Sequence, residues 1–190
     1  MLRVTGGEFK GLRLEAPKPI RATEAKVRQA LFNILGEAVR GARVLDGYAG
    51  SGALGIEALS RGAAFAAFIE EDTEAVLAIR ANLDRLSLEL PRDAWRVVHL
   101  EFSRGARQLA QAEPAFDLVL LDPPYQADEA KKALNAVVGC AILAPAGILL
   151  LEHDQRTIPP ASCGPLAQWK RHRYGDTVLS FYRAPSPGAP

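Results

Sequence analysis

From residue 42 onward, short continuous apolar runs alternate with stretches whose apolar residues recur every three or four positions. The runs 42–46, 65–70, 95–100, 116–121 and 148–151 read as strands buried on both faces. Between them, 52–60, 73–86, 103–112 and 128–141 read as amphipathic helices. In the second, Val76, Ile79, Leu83 and Leu86 share one face. This alternation predicts an α/β fold: a mostly parallel sheet with helices on both sides. Right-handed crossovers then set the C-terminal ends of the strands along one edge, where open sheets of this kind bind ligands. Asp46, Glu70, Glu101 and Asp122 all fall at or just after those ends.

The two ends of the chain break the pattern. In residues 1–19, Leu2-Arg3-Val4 and Leu12-Arg13-Leu14 form two short apolar-basic runs around Gly6, Gly7 and Gly11, which predicts a small β-ribbon appendage. Thr23 is placed to cap a helix with Val27, Ala30, Leu31, Ile34 and Leu35 as its apolar stripe. Lys26 and Arg28 fall off that stripe and face solvent or phosphate. At the other end, Trp169–Tyr174 and Thr177–Arg183 flank Gly175-Asp176, a hairpin signal that closes the sheet with antiparallel strands. Residues 20–184 are thus expected to form the main domain, with 185–190 a disordered tail.

The stretch 42–55 carries the first candidate chemistry. A strand end at Val44-Leu45, Asp46, a turn rich in glycine (Gly47, Gly50, Gly52, Gly55) and a helix start make a nucleotide cradle. Gly50 to Gly55 also fits the dinucleotide fingerprint, with Glu70 near the expected acidic distance, so a nicotinamide-dependent oxidoreductase is one reading.

Composition narrows the class. The 190 residues, 48% apolar and 24% charged, suit one soluble globular core. With neither a signal-like start nor a spanning run, the cytoplasm is the expected location. Cys140 and Cys163 lie in no zinc pattern. His99, His153 and His172 lack ligand spacing, so neither a metal nor a catalytic histidine is expected. The net charge of +1 is uneven: nine Lys/Arg against four Asp/Glu in residues 1–43, seven against fifteen in 44–130, seven against three in 131–190. An acidic middle between basic ends suits a protein that grips a polyanion at its margins. Arg3, Lys10, Arg13, Arg21, Thr23 and Arg28 are the candidate nucleic-acid contacts.

Asp122-Pro123-Pro124-Tyr125 is the decisive stretch. A carboxylate at a strand end is followed by two prolines that restrict the turn and by an aromatic ring. Asp122 and the Pro123 carbonyl can accept together from an exocyclic amine, and Tyr125 offers a face on which a base stacks. With the Asp46 glycine turn, this tetrad resembles the Rossmann-like class I S-adenosylmethionine-dependent amino-methyltransferases. Arg21-Ala-Thr23, Val27-Arg28, Leu31-Phe32-Asn33, Gly50 through Gly62 and Tyr174-Gly-Asp-Thr177 bring the resemblance closer. Across nearly its whole length the chain is similar to the RsmD-type enzymes, which methylate the exocyclic N2 of one guanine in bacterial 16S rRNA.

The resemblance implies a seven-stranded, mostly parallel sheet and S-adenosylmethionine as cofactor. Asp46, Gly47, Tyr48, Gly50 and Gly52 would cradle its methionine part, Glu70 would accept the ribose hydroxyls, and Glu101 and Phe102 would lie near the adenine. Asp122, Pro123 and Tyr125 would hold the target base. The implied partner is 16S rRNA, naked or in assembly particles, and the protein is expected to act as a monomer. Four positions depart from the family pattern: Ala22 for a frequent Pro, Tyr48 for a frequent Phe, Glu101 for Asp or Asn, and Phe102 for a small residue. A related enzyme acting on adenine N6 or a protein glutamine shares the tetrad but usually carries Asn first. Asp suits guanine, whose N1–H and N2–H both donate.

Overall fold

The computed structural model describes residues 2–17, 22–86, 89–91, 93–124 and 128–184, and of residues 22–24 the backbone alone. Arg21, Tyr125 and the tail 185–190 lie outside the described residues, as does the side chain of Thr23. The five α/β repeats predicted from the pattern are all present. Strands β1 (Arg43–Gly47), β2 (Phe65–Glu70), β3 (Trp95–His99), β4 (Phe116–Leu121) and β5 (Leu143–Asp154) alternate with helices α2 (Ala53–Ser60), α3 (Thr73–Asp84), α4 (Phe102–Ala112) and α5 (Glu129–Cys140). Helix α1 (Ala22–Leu35) precedes them, and β6 (Ser162–Cys163), β7 (Leu166–Tyr174) and β8 (Thr177–Arg183) follow.

The eight strands form one sheet in the order β3-β2-β1-β4-β5-β8-β7-β6. Strands β1 to β5 pair in parallel, while β8 inserts antiparallel between β5 and β7. The expected seven strands become eight because β6 is a two-residue pairing with the start of β7, too short to leave an apolar run in the sequence. Strand β5 begins at Leu143 rather than 148: an irregularity in its pairing with β4, between Phe116 and Leu118, admits the Ala144–Gly147 segment. Helix α1 starts at Ala22, so Thr23 lies inside its first turn and not at its cap.

Each sheet face buries its own core. On one side α4 and α5 cover Leu45, Ile69, Val119, Leu121, Leu149 and Tyr182. On the other, α1 covers Val44, Leu118, Leu120, Leu150 and Phe181, and α2 and α3 cover Ala66 and Phe68. The ribbon belongs to this second face. Its two arms meet at a single antiparallel bridge, Arg3 to Arg13, and Leu2, Val4 and Leu14 are buried in the cluster of Ile79 and Leu83. So small a ribbon has no core of its own and depends on that docking.

One buried carboxylate anchors it. Glu57, within α2 and fully buried, accepts from the Thr5 amide and hydroxyl, each at 2.7 Å, and from Arg61 Nε at 2.9 Å. It also pairs with Arg28 Nε at 3.5 Å. Arg28 is 5% exposed and donates to the Arg3 carbonyl at 2.7 Å. The expectation that Arg28 faces phosphate is therefore corrected: its guanidinium is an internal brace between α1, α2 and the ribbon. The apolar stripe of α1 is buried at Val27, Leu31 and Leu35, and the ribbon supplies a second surface that buries the residue beside it.

Candidate active site

The strand order reverses between β1 and β4, and the candidate groups gather at that switch point. Asp46 ends the first core strand at 1% exposure, and its Oδ2 accepts from the Gly55 amide at 2.8 Å. This bond ties the turn to the strand and satisfies a free N–H of the first turn of α2. Burial raises the Asp46 carboxyl well above its usual range; the Gly55 amide opposes the rise, and the nearby Asp122 and Glu70 carboxylates add to it. Asp46 is thus a scaffold for the glycine turn. Gly52 caps α2 with φ 75°, a left-handed conformation that a side chain would strain. A Cβ on Gly47 would lie 2.6 Å from the Phe102 ring, so that glycine lets α4 approach the strand end.

A cavity of about 390 Å³ opens beside this turn, lined by Tyr48, Ile69, Glu70, Glu71, Leu100, Glu101, Phe102, Asp122, Pro124 and Glu129. That size falls within the range of small-molecule sites. Tyr48 adopts φ 62° and stacks its ring on Phe102, with centroids 4.8 Å apart. Phe102 is therefore a buried wall of the site at 3% exposure, held by Tyr48 and Gly47. Burial pushes the Tyr48 hydroxyl well up, so it stays protonated and available as a donor.

Glu70 bridges two turns. Its Oε2 accepts from the Gly50 amide at 2.7 Å, and its Oε1 from the Glu71 and Asp72 amides at 2.8 and 2.9 Å. Glu101 is the N-cap of α4, accepting from the Ser103 and Arg104 amides at 2.9 and 3.2 Å. Partial burial opposes its ionisation, but those two amides and the Ser103 hydroxyl outweigh it and hold the carboxyl below the ordinary value. Each carboxylate keeps lone-pair capacity for a ligand. Asp122, exposed at the end of β4, lines the cavity, and Pro123 is buried behind it. The structure therefore brings Tyr48, Glu70, Glu101, Phe102 and Asp122 together on one wall system, while Asp46, Gly47, Gly50, Gly52 and Pro123 support it from behind.

Sequence reasoning missed two lining carboxylates, Glu71 and Glu129. Glu129 opens α5 and accepts from Lys132 Nζ at 2.7 Å. Five carboxylates and no Lys or Arg line the cavity among the described residues. Such a field attracts a cationic ligand and repels a pyrophosphate. That is the physical argument against the dinucleotide reading of the glycine pattern.

Comparison with known proteins shows the family. A family model described as "Conserved hypothetical protein 95" matches residues 2–183. The YlbH protein of Bacillus subtilis, which carries the provisional name of an rRNA methyltransferase, is 35% identical over 96% of this chain and 98% of its own. Ribosomal RNA small subunit methyltransferase D of Escherichia coli is 33% identical over 98% of this chain and 92% of its own. The chain belongs to the RsmD family. Among solved structures, the E. coli protein yhhF, provisionally named a methyltransferase, superposes with TM-score 0.81 at 30% identity, covering 98% of this chain and 99% of that one. For the fold alone, a Thermus thermophilus 16S rRNA N2 methyltransferase (RsmC), solved in complex with AdoMet and guanosine, superposes with TM-score 0.71 at 22% identity, covering 97% of this chain and 49% of that one. The expected class I methyltransferase fold is borne out.

Within this RsmD-family chain the ribbon carries three of the candidate RNA contacts. Arg3, Lys10 and Arg13 are exposed, and Arg3 Nη1 donates to the Gly11 carbonyl at 2.7 Å. Cys140 packs half-buried on the α4–α5 side, and Cys163 Sγ donates to Asn135 Oδ1 at 3.2 Å. No helix among the described residues is long and apolar enough to cross a membrane. No group of three or more His, Cys, Asp or Glu side chains among them is placed to hold a metal ion.

His153 has a structural role. At 2% exposure its Nδ1 lies 2.9 Å from the Asp154 carbonyl and its Nε2 2.9 Å from Ser180 Oγ. A carbonyl only accepts, so Nδ1 carries the proton and Nε2 accepts from Ser180, whose oxygen in turn accepts from Gln168 Nε2. Burial lowers the imidazole below its ordinary 6.5. A depressed folded value means stability that is present above 6.5 and lost as pH falls through the lower, folded value. Thermal midpoints recorded across that acid range should therefore fall, and His153→Gln should flatten the fall. An unchanged slope in the variant would remove His153 as its source.

Proposed function

We propose that this chain transfers the methyl group of S-adenosylmethionine to the exocyclic N2 of a guanine in small-subunit rRNA. One observation carries the reading: Asp122 stands at the end of β4 on the wall of a cavity lined by carboxylates, with no Lys or Arg among the described lining residues. The cavity chemistry fits a sulfonium, which is positively charged at the atom that must be held near the acceptor. When bound, S-adenosylmethionine supplies an electrophilic methyl carbon and a neutral thioether as leaving group.

The residues divide the remaining work. The Asp46–Gly55 bond fixes the glycine turn, so that its backbone forms one side of the cradle. Glu70 offers acceptor capacity to ribose hydroxyls, and the Tyr48–Phe102 stack forms an apolar wall for a planar base. On the substrate side, Asp122 Oδ and the Pro123 carbonyl accept from N2–H. This orients a nitrogen whose lone pair is otherwise delocalised into the guanine ring. Alignment of that nitrogen with the methyl carbon, before any bond forms, is the main source of acceleration in such a site. The extra proton that N2 would carry after accepting the methyl group would pass to Asp122 or to water. The target base leaves its stack to reach Asp122.

Methyl-labelled S-adenosylmethionine, incubated with the protein and unmodified 16S rRNA or small-subunit particles, should label guanine N2 at one position on nucleotide mapping. Label found instead on adenine N6, or on a protein glutamine, would move the activity to another substrate within the same chemistry. No RNA label from either substrate would overturn the proposal.

A further inference from the structure

The closing strands carry a feature that the catalytic site does not use. Among the described residues, Trp169 is the one aromatic in the set of large apolar side chains left exposed, at 41%. It sits where the β7–β8 pairing slips between Gln168 and Lys170, and its edge packs on Phe181 at 6.2 Å. Two cations attend the ring: Arg183 Cζ is 4.6 Å from its centroid and Lys170 Nζ 5.7 Å. Arg171 and Arg173 of β7 pair with Ser180 and Val178 and so face the other side of the sheet, and neither β7 nor β8 contains a carboxylate. The nearest acid in the chain, Asp176, lies in the turn and accepts from Gln155 Nε2 at 2.7 Å.

We infer that Trp169, flanked by Arg183 and Lys170, is a second RNA-contact surface that stacks an unpaired base of the substrate, remote from the base held at Asp122. The inference deepens the proposed function and rests on RNA being the substrate. An indole face with cations beside it and no competing anion combines stacking with backbone neutralisation, the pairing that single-strand binders use. The charge suits a polyanion, whereas an apolar protein partner would leave Lys170 and Arg183 uncompensated beside the ring.

Position supports it as well. Leu121, Leu151, Ser180 and Arg171 form one row across the sheet, and Trp169 lies two residues back along β7. With strands about 4.8 Å apart and about 3.3 Å per residue, Trp169 lies roughly 15–20 Å from Asp122, within reach of a short single-stranded segment. Phe181, on which Trp169 leans, belongs to the face covered by α1, the face on which the ribbon also docks. Arg3, Lys10 and Arg13 thus approach the RNA from one end of that face and the Trp169 platform from the other.

The test uses the full chain and a single-stranded RNA of about 12 nucleotides, with a duplex of equal length as control. Trp95 and Trp169 are the two tryptophans, so Trp95→Phe leaves Trp169 as the reporter. Single-stranded RNA should quench its emission more than duplex does. Trp169→Ala should weaken single-strand binding about tenfold, and Trp169→Phe should retain most of it. Lys170→Gln and Arg183→Gln should each make the salt dependence shallower by about 0.7 in slope.

A Trp169→Ala protein with unchanged circular dichroism that binds RNA within twofold of the parent, or an emission unmoved by saturating RNA, would overturn the inference. So would a dimer, seen in sedimentation, that Trp169→Ala dissociates without altering RNA affinity: the occupant would then be a second copy of the chain. Methyl transfer to guanine N2 with no Trp169 effect sinks the platform alone. RNA binding through Trp169 without methyl transfer sinks the proposed activity alone.

Discussion

Asp122→Ala is expected to lower methyl transfer to RNA by about 10²–10³-fold, the scale on which removal of one transition-state hydrogen-bond partner acts in other enzymes. On the proposed mechanism the loss should fall on kcat, because there Asp122 would orient the nucleophile, whereas Asp46, Gly50, Gly52 and Glu70 would build the cofactor cradle. Cofactor affinity, measured by calorimetry, should change far less than turnover. Some weakening is expected, since one of five cavity carboxylates is removed from around a cation. Asp122→Asn separates charge from geometry. It keeps an acceptor for N2–H but places a donor where guanine N1–H also donates, so it should fall between the parent and the alanine variant. Full turnover in Asp122→Ala would mean that the amine is held elsewhere and that Asp122 serves only the electrostatics of the cavity.

Much of this was legible in the sequence because two different periodicities encode it. Buried parallel strands leave continuous apolar runs, and their C-terminal ends mark the ligand edge whatever the chain does afterwards. The positions of Asp46, Glu70, Glu101 and Asp122 followed from that rule alone. What escaped were features that depend on two segments meeting. Glu129 reaches the cavity only because α5 starts beside the end of β4, and its own helix gives no hint of that. Glu101 caps α4 because the helix begins at Phe102, one residue before the periodicity suggested. Strand β6 is a pairing of two residues with no periodicity to detect. The ribbon was read as two strands, but only the docking on α2 shows which of its cations remain on the surface. One signal was available: Glu57 interrupts the apolar run Gly55-Ile56-Glu57-Ala58-Leu59, a charge where a packed helix face should be. Buried charges are paired, so its presence implied a cation partner from another segment.

Glu57 gives the largest expected effect on stability. It is fully buried, Arg28 is 5% exposed, and Arg61 closes the group at 2.8 Å. Glu57→Ala would leave the Arg28 guanidinium inside the protein without its carboxylate, and would strip two acceptors from Thr5. Breaking a buried pair from one side costs about 3–5 kcal/mol, which for a chain of this length lowers the thermal midpoint by roughly 6–20 °C. The same break should loosen the ribbon before the sheet, because Thr5 loses both of its bonds to Glu57, leaving the arm to its Ser60, Asn82 and Arg85 bonds and the packing of Leu2, Val4 and Leu14. Limited proteolysis should then cut within the first fifteen or so residues while the main domain persists. Replacing both partners, Glu57→Met with Arg28→Met, removes the buried charges together and should recover most of the loss, since a buried ion pair often does no better than well-packed apolar groups. If Glu57→Ala melts within about 2 °C of the parent, which is under 1 kcal/mol, the network does not hold the ribbon. If it melts early and the double replacement does not recover, the hydrogen bonds to Thr5, rather than the ion pair, are what fasten the basic arm beside the glycine turn.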